Sequence, residues 1–230
     1  MRLKHGAAFL MIVVAASACD QSGSVSLDNN DSKASYAIGQ DIGRNLKPAA
    51  GHLDMDAFIK GIEDMLDDVD PALPPEELQA AIQQFSQEVS EEQEAERVAQ
   101  AEVNAAAGEA YLAENGAKEG VITTESGLQY EVMREADGPM PTDADQVTIH
   151  YRGTLIDGTE FDASYDGPPA TFAVGGVIPG FTEALKLINV GGQIRVVIPG
   201  HLAYGPNGNG GDIGPNAVLI FEMELLEIPQ

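Results

Sequence analysis

With 230 residues, 43% of them hydrophobic, the chain is long enough for one large domain or two small ones around a packed core. A formal charge of −25 and an isoelectric point of about 4.1 argue against a nucleic-acid ligand, because a polyanion is held by basic surface, and against docking on an anionic membrane face.

The start reads as a targeting segment (residues 1–18). Arg2 and Lys4 make it positive, and Ala7 to Ala16 is an apolar run of ten residues, too short to span a bilayer. Ala16-Ser17-Ala18 then sets small residues before Cys19, the only cysteine. Either an ordinary signal peptidase cuts after Ala18, or Ala16 to Cys19 is a lipobox and Cys19 is lipidated. The segment resembles bacterial lipoprotein signals, with Ala16 where leucine is commoner, and a lone cysteine at this position favours the lipid. Asp20 resembles the inner-membrane retention signal of enteric bacteria. The expected address is the periplasmic face of a Gram-negative envelope, lipid-anchored. One cysteine leaves no internal disulfide to staple the mature chain.

Residues 19–33, rich in Ser, Asp, Asn and Gly, read as a flexible tether with a reach of about 20 Å. From Ala34 the pattern is helical, with Ile38, Ile42 and Leu46 on one face until Pro48 stops it. A second helix starts near Asp54, striped by Phe58, Ile59, Ile62, Met65 and Leu66, and ends before Pro71. A third begins at Pro75-Glu76 and runs to about Asn115, roughly 60 Å. Its seam reads Leu78, Ile82, Phe85 and Val89, then Glu92 and Glu96, then Ala99, Val103, Ala106 and Ala110. The first half is expected to pack on something substantial and the second to be a solvated strut held by helix propensity. The other reading is a helix folded back on its own domain. Stripes this large exceed what a small helical unit buries alone, so a second copy is the expected cover.

After Gly120 the period becomes two. Leu128, Tyr130 and Val132 alternate with polar residues, as do Val147, Ile149 and Tyr151, then Ile194, Val196 and Ile198, then Leu219, Phe221, Met223 and Leu225. Asp157-Gly158 signals a hairpin. One short helix fits from Pro179 to Ile188. The fold class is α+β, a twisted antiparallel sheet wrapping a short helix.

Bond-breaking constellations are missing. The sequence holds no Gly-x-Ser-x-Gly, no P-loop and no cysteine nucleophile for the folded part, and His5, His52, His150 and His201 fit no metal spacing. The glycine-rich loop Gly205 to Gly214 is a poor phosphate cradle without a lysine or a following helix. No metal and no cofactor are called for.

Aromatic and aliphatic residues bracket the loops instead: Val147-Thr-Ile-His-Tyr151, Gly153 to Ser164, Phe172, Gly176-Val177-Ile178-Pro179-Gly180-Phe181, Val190-Gly191-Gly192, Ile198-Pro199, Leu202-Ala203-Tyr204-Gly205, Pro215-Asn216-Ala217 and Leu219 to Leu226. From about Gly127 to Ile228 this series resembles the FKBP family of peptidyl-prolyl cis/trans isomerases. Ser35 to Gly43 and onward resembles the N-terminal domain of bacterial FKBPs of the macrophage infectivity potentiator type. The resemblance implies a helical dimerisation domain with a long connecting helix at 34–117, an isomerase domain at 118–230 with a half-open barrel-like sheet, and a homodimer. It implies a pocket lined by Tyr151, Phe161, Asp162, Val177, Ile178, Phe181, Tyr204 and Phe221. Phe181 takes the floor position, where tryptophan is common. The Ile178 N–H and the Tyr204 hydroxyl would hold substrate carbonyls, and Phe161, Asp162 and Tyr204 would carry catalysis. Gly167 and Ala170 stand where some members have an arginine and an aromatic, and Asn209 and Asp212 replace a histidine and an apolar residue on the flap, which makes the rim more polar.

The chemistry fits this residue set. Rotating an X-Pro bond crosses about 18–20 kcal/mol as the amide loses resonance. The twisted state is less dipolar than the planar one, so a dry apolar pocket favours it without acid, base or cofactor. Taken singly, Tyr151, Phe161 and Phe221 also read as core aromatics, Asp162 as a turn cap and Tyr204 as a packed loop tyrosine. The expected partners are unfolded or partly folded proline-containing proteins. The alternative function is a holdase-type chaperone that uses the isomerase fold as a binding module.

Overall fold

The structure, a computed structural model, describes residues 25–229, so the targeting segment and Cys19 lie outside it. The chain divides into two units after Leu53.

The first unit is one helix and a tight turn. Helix α1 spans Asn30–Leu46, and a 3-10 turn follows over Lys47–His52. The helix begins inside the stretch read as tether. Asn29 caps it, its Oδ1 accepting the Ser32 N–H at 2.8 Å, and Asp31 sits in the first turn, where the helix dipole favours negative charge. Ser, Asp and Asn suit a cap as well as a linker, and composition alone does not separate the two. Tyr36 and Ile38 on this helix are 52% and 60% exposed.

The second unit opens with α2, Met55–Leu66, capped by Asp54, whose Oδ1 accepts the amides of Asp56 and Ala57 at 3.1 and 3.0 Å. Ile59, Ile62, Met65 and Leu66 are exposed along it. Helix α3 spans Pro75–Gly116, 42 residues. Leu78 and Ile82, the start of its apolar seam, are exposed.

The lower half of α3 departs from the expected strut. Val103, Ala106 and Ala110 do face solvent, but Gly108 and Asn115 are buried, and Tyr111 and Leu112 pack on Val197, Val218 and Ile220. The last turns thus lie against the outer face of the sheet, as in the reading of a helix folded onto its own domain. A Cβ on Gly108 would stand 2.7 Å from Val218 Cγ2, so the glycine lets the helix approach. Polar residues complete the seam: Asn115 donates to Gln129 Oε1 (2.9 Å), Gln129 Nε2 to the Leu112 carbonyl (2.8 Å), and Arg195 to Tyr111 Oη (2.7 Å) and Asn115 Oδ1 (3.2 Å). The docking stripe mixes glycine, aromatic and amide residues, which a search for apolar spacing passes over.

Seven antiparallel strands follow: β1 (Ile122–Thr123), β2 (Gln129–Arg134), β3 (Gln146–Leu155), β4 (Glu160–Ala163), β5 (Ala170–Ala173), β6 (Gln193–Ile198) and β7 (Leu219–Glu227). Their order is β1-β2-β6-β7-β3-β4, with β5 paired to the first half of β3. The four alternating segments of the sequence are β2, β3, β6 and β7, the long inner strands. Asp157-Gly158 turns β3 into β4, with Gly158 at φ +88°. Short β1 and β5 carry too few residues for a period to show.

Helix α4, Pro179–Leu185, lies in the concave face. It ends before Ile188, which is buried all the same. A Cβ on Gly180 would meet Ile198 Cγ2 at 2.3 Å, so the helix closes directly onto β6. Leu128, Val147, Ile149, Val174, Leu185, Ile194, Val196, Leu219, Met223 and Leu225 fill the space between, with Phe181 and Phe221 at its open end.

Candidate active site

At that open end lies a cavity of about 470 Å³. It is lined by Tyr151, Phe161, Asp162, Val177, Ile178, Phe181, Tyr204 and Phe221, the whole set singled out from the sequence, together with Phe172 and Gly176. A larger depression of about 620 Å³ along α3 is open helix surface, lined by residues of that helix alone.

Alternation along β3 turns Tyr151 inward, and the next inward position is Gly153. Gly153 pairs with Asp162 on β4 and Phe221 on β7. A Cβ there would stand 2.6 Å from Phe161 Cζ and 2.8 Å from Phe221 Cε1, so the missing side chain is the space that two rings occupy. Sequence reasoning did not mark Gly153 as a site residue; a glycine inside a strand was the available signal.

The rings form a box of edge-to-face pairs. Phe181 stands against Phe221 with centroids 5.0 Å apart, Phe161 against Phe221 at 5.5 Å, Tyr151 against Phe172 at 5.6 Å and Phe172 against Phe181 at 5.8 Å. Phe172 on β5 supplies a wall two residues beyond Ala170, the position of the missing aromatic. Phe181 rises from the first turn of α4 as the floor, 5% exposed. Val177 and Ile178 line the wall just before that helix, Ile178 accepting the Phe181 and Thr182 amides at 3.0 Å.

One charge lies in this apolar surround. The Tyr151 hydroxyl donates to Asp162 Oδ2 at 2.6 Å. Burial, then the bond to Asp162, then the charges of Asp162 and Tyr204 push the Tyr151 pKa well above the usual phenol range. No lysine or arginine pairs with Asp162 among the described residues, consistent with Gly167 at the position where some family members carry an arginine. The carboxylate is therefore positioned by a neutral donor and keeps its field in the cavity. Tyr204 stands at the rim, 42% exposed. Asn209 and Asp212 do not line the cavity; Asn209 Oδ1 accepts the Gly211 and Ile213 amides at 2.8 and 3.0 Å and shapes its own loop.

Two family models match the chain: the domain amino-terminal to FKBP-type peptidyl-prolyl isomerase over residues 31–132, and FKBP-type peptidyl-prolyl cis-trans isomerase over residues 138–226. The 22 kDa FKBP-type peptidyl-prolyl cis-trans isomerase of Escherichia coli is 44% identical, across 87% of this chain and 97% of its own. The chain belongs to the FKBP-type peptidyl-prolyl cis-trans isomerases. The outer membrane protein MIP of Legionella longbeachae is 38% identical across 99% of this chain and 98% of its own. The crystal structure of FkpA from Escherichia coli, 38% identical, matches the fold with a TM-score of 0.64 over 88% of this chain and 98% of that one. The FKBP assignment gives the chain its activity, isomerisation of X-Pro peptide bonds, and the holdase alternative is not favoured.

The Tyr151–Asp162 contact has a defined pH signature. A tyrosine pKa raised by folding gives stability that is complete below the free value near 10 and is lost as pH rises past it. Tyr151→Phe is expected to lower stability by about 1–2 kcal/mol at neutral pH. Urea unfolding should show that gap unchanged from about pH 6 to 9 and narrowing above about pH 10; no gap at neutral pH would show that the hydroxyl contributes nothing.

Proposed function

We propose that X-Pro bonds rotate in this cavity, with Phe161, Asp162 and Tyr204 acting on the amide and Tyr151, Val177, Ile178, Phe181 and Phe221 gripping the substrate. The supporting observation is the convergence of six aromatic rings on one cavity that holds a single carboxylate. The rings offer edges and faces sized for a pyrrolidine and exclude water, which favours the less dipolar twisted amide. The Ile178 N–H and the Tyr204 hydroxyl hold the flanking carbonyls, and the Asp162 field biases the turning C–N bond. Phe161→Ala, Asp162→Ala and Tyr204→Ala are each expected to lower kcat/KM on an X-Pro peptide by about tenfold or more while the protein stays folded. Wild-type rates in all three purified variants would place the reaction elsewhere.

The chain works as a homodimer in this reading. Tyr36, Ile38 and Ile42 on α1, Ile59, Ile62, Met65 and Leu66 on α2, and Leu78 and Ile82 on α3 are all exposed in the single chain, and a second copy burying them would remove that apolar surface from water. Two tethered cavities then engage one client at two prolines and gain from effective concentration. The boundary of the catalytic part lies before 118, because removing the last turns of α3 strips Val197, Val218 and Ile220. A fragment starting at Glu94 keeps those turns. It is expected to be monomeric and nearly as fast as the full chain on short peptides, yet clearly slower at refolding a proline-limited protein. Light scattering with both assays checks this; a monomeric full-length protein would refute it.

The chain is exported and held by lipid on Cys19 at the periplasmic side of a Gram-negative envelope. The small-residue sequence before the lone cysteine supports the anchor. Asp20 argues for the inner membrane, and the name of the Legionella relative for the outer. Mass spectrometry of the mature N-terminus should find diacylglycerol on Cys19, and an unmodified Cys19 rules the anchor out.

A further inference from the structure

Tyr204 opens a loop that returns at Asn216. Its neck is closed by the Asn216 N–H donating to the Gly205 carbonyl at 2.7 Å, and both neck residues have left-handed backbone, φ +62° and +54°. The residues beside the neck are held from outside by α3. Arg97 Nη1 donates to the Pro206 carbonyl at 2.5 Å and to Asn207 Oδ1 at 3.3 Å, and Asn104 Nδ2 donates to the Pro215 carbonyl at 2.7 Å. Both donors are aimed in advance. Glu94 takes Arg97 Nε and Nη2 at 2.9 and 2.7 Å, leaving Nη1 for the loop, and Gln100 donates to Asn104 Oδ1 at 2.8 Å. Arg97, Gln100 and Asn104 stand one below another on a single helix face.

We infer that Arg97 and Asn104 are positioning residues of the isomerase: α3 clamps the neck of the 205–216 loop and so fixes Tyr204 at the cavity rim. This rests on the role given above to the Tyr204 hydroxyl. Tyr204 is 42% exposed, so packing alone holds it weakly; it is carried between two 3-10 turns, Gly200–Leu202 before it and the one that begins at Gly205 after it. A loop free to widen at its neck carries the hydroxyl with it, and displacement on the scale of an ångström is costly in a reaction that depends on placement. The clamp also explains why the helix stripe above Tyr111 is polar: it binds loop carbonyls there, while lower down it covers apolar sheet.

The test is a cycle in the full-length protein with Arg97→Ala, Tyr204→Phe and the double variant, assayed on a short X-Pro peptide. Arg97→Ala is expected to lower kcat/KM roughly threefold to tenfold with an unchanged melting temperature, and Arg97→Lys, which can still reach the Pro206 carbonyl, to recover part of it. In the Tyr204→Phe background Arg97→Ala should have no further effect, because the hydroxyl that it places is gone. Asn104→Ala should repeat the pattern. A wild-type rate in Arg97→Ala, an equal loss in both backgrounds, or a loss that follows a lowered melting temperature and resists Arg97→Lys overturns the clamp. If Tyr204→Phe alone has the wild-type rate while Arg97→Ala is slow, the role of the hydroxyl fails, and with it the inference that Arg97 works through Tyr204.

Discussion

At Gly153 the longest strand of the sheet, β3, carries no side chain, and two phenyl rings fill the space where one would stand. β3 pairs with β4, β5 and β7, so whatever projects from it decides what the three neighbours can bring inward. With position 153 vacant, Phe161 and Phe221 meet edge to face above it, Phe221 presses on Phe181, and Phe181 becomes the floor of a cavity rather than the middle of a sealed core. A barrel of this size is otherwise filled by its own side chains. The cavity is thus a region where the core is left incomplete at one end.

The electrostatics follow from the same arrangement. Asp162 is the pairing partner of Gly153 and reaches the cavity edge, where Tyr151, two residues back along β3, meets it with a hydroxyl. A guanidinium there would neutralise the carboxylate; a phenol with a raised pKa orients it and leaves its charge in place. Bond rotation needs no proton transferred and no electrons moved. In the proposed reaction a single oriented charge beside an apolar wall would suffice, because a low local dielectric strengthens its action on a dipole that changes during rotation.

Helix α3 unites the acidic helical part of the chain with the site. Its early turns present Leu78 and Ile82 outward, its middle turns bind the loop that begins at Tyr204, and its last turns cover Val197, Val218 and Ile220 on the back of the sheet. One element thus changes chemistry along its length, from apolar to amide-rich to glycine and aromatic.

The sequence by itself determined the long inner strands, the helices and the identity of the cavity residues. Each has a local cause: a period of two in half-buried strands, a period near four in the helices, caps and prolines at the ends, and a series of family motifs that span the sheet. All ten cavity residues stand in those motifs; eight of them were assigned to the pocket, and Phe172 and Gly176 were quoted without being assigned to it. Tertiary structure alone decided the rest. That the acidic tether already contains the first turn of α1 depends on whether the Asn29 side chain finds an amide. That the lower half of α3 docks rather than standing free depends on the outer face of β6 and β7, about 90 residues further on, whose valines and isoleucines need cover. That Gly153 makes room for rings, and that Arg97 and Asn104 reach the neck of a loop more than 100 positions away, are contacts between residues with no local signature. Periodicity shows which face of an element is apolar, but the partner of that face is fixed only when the whole chain packs.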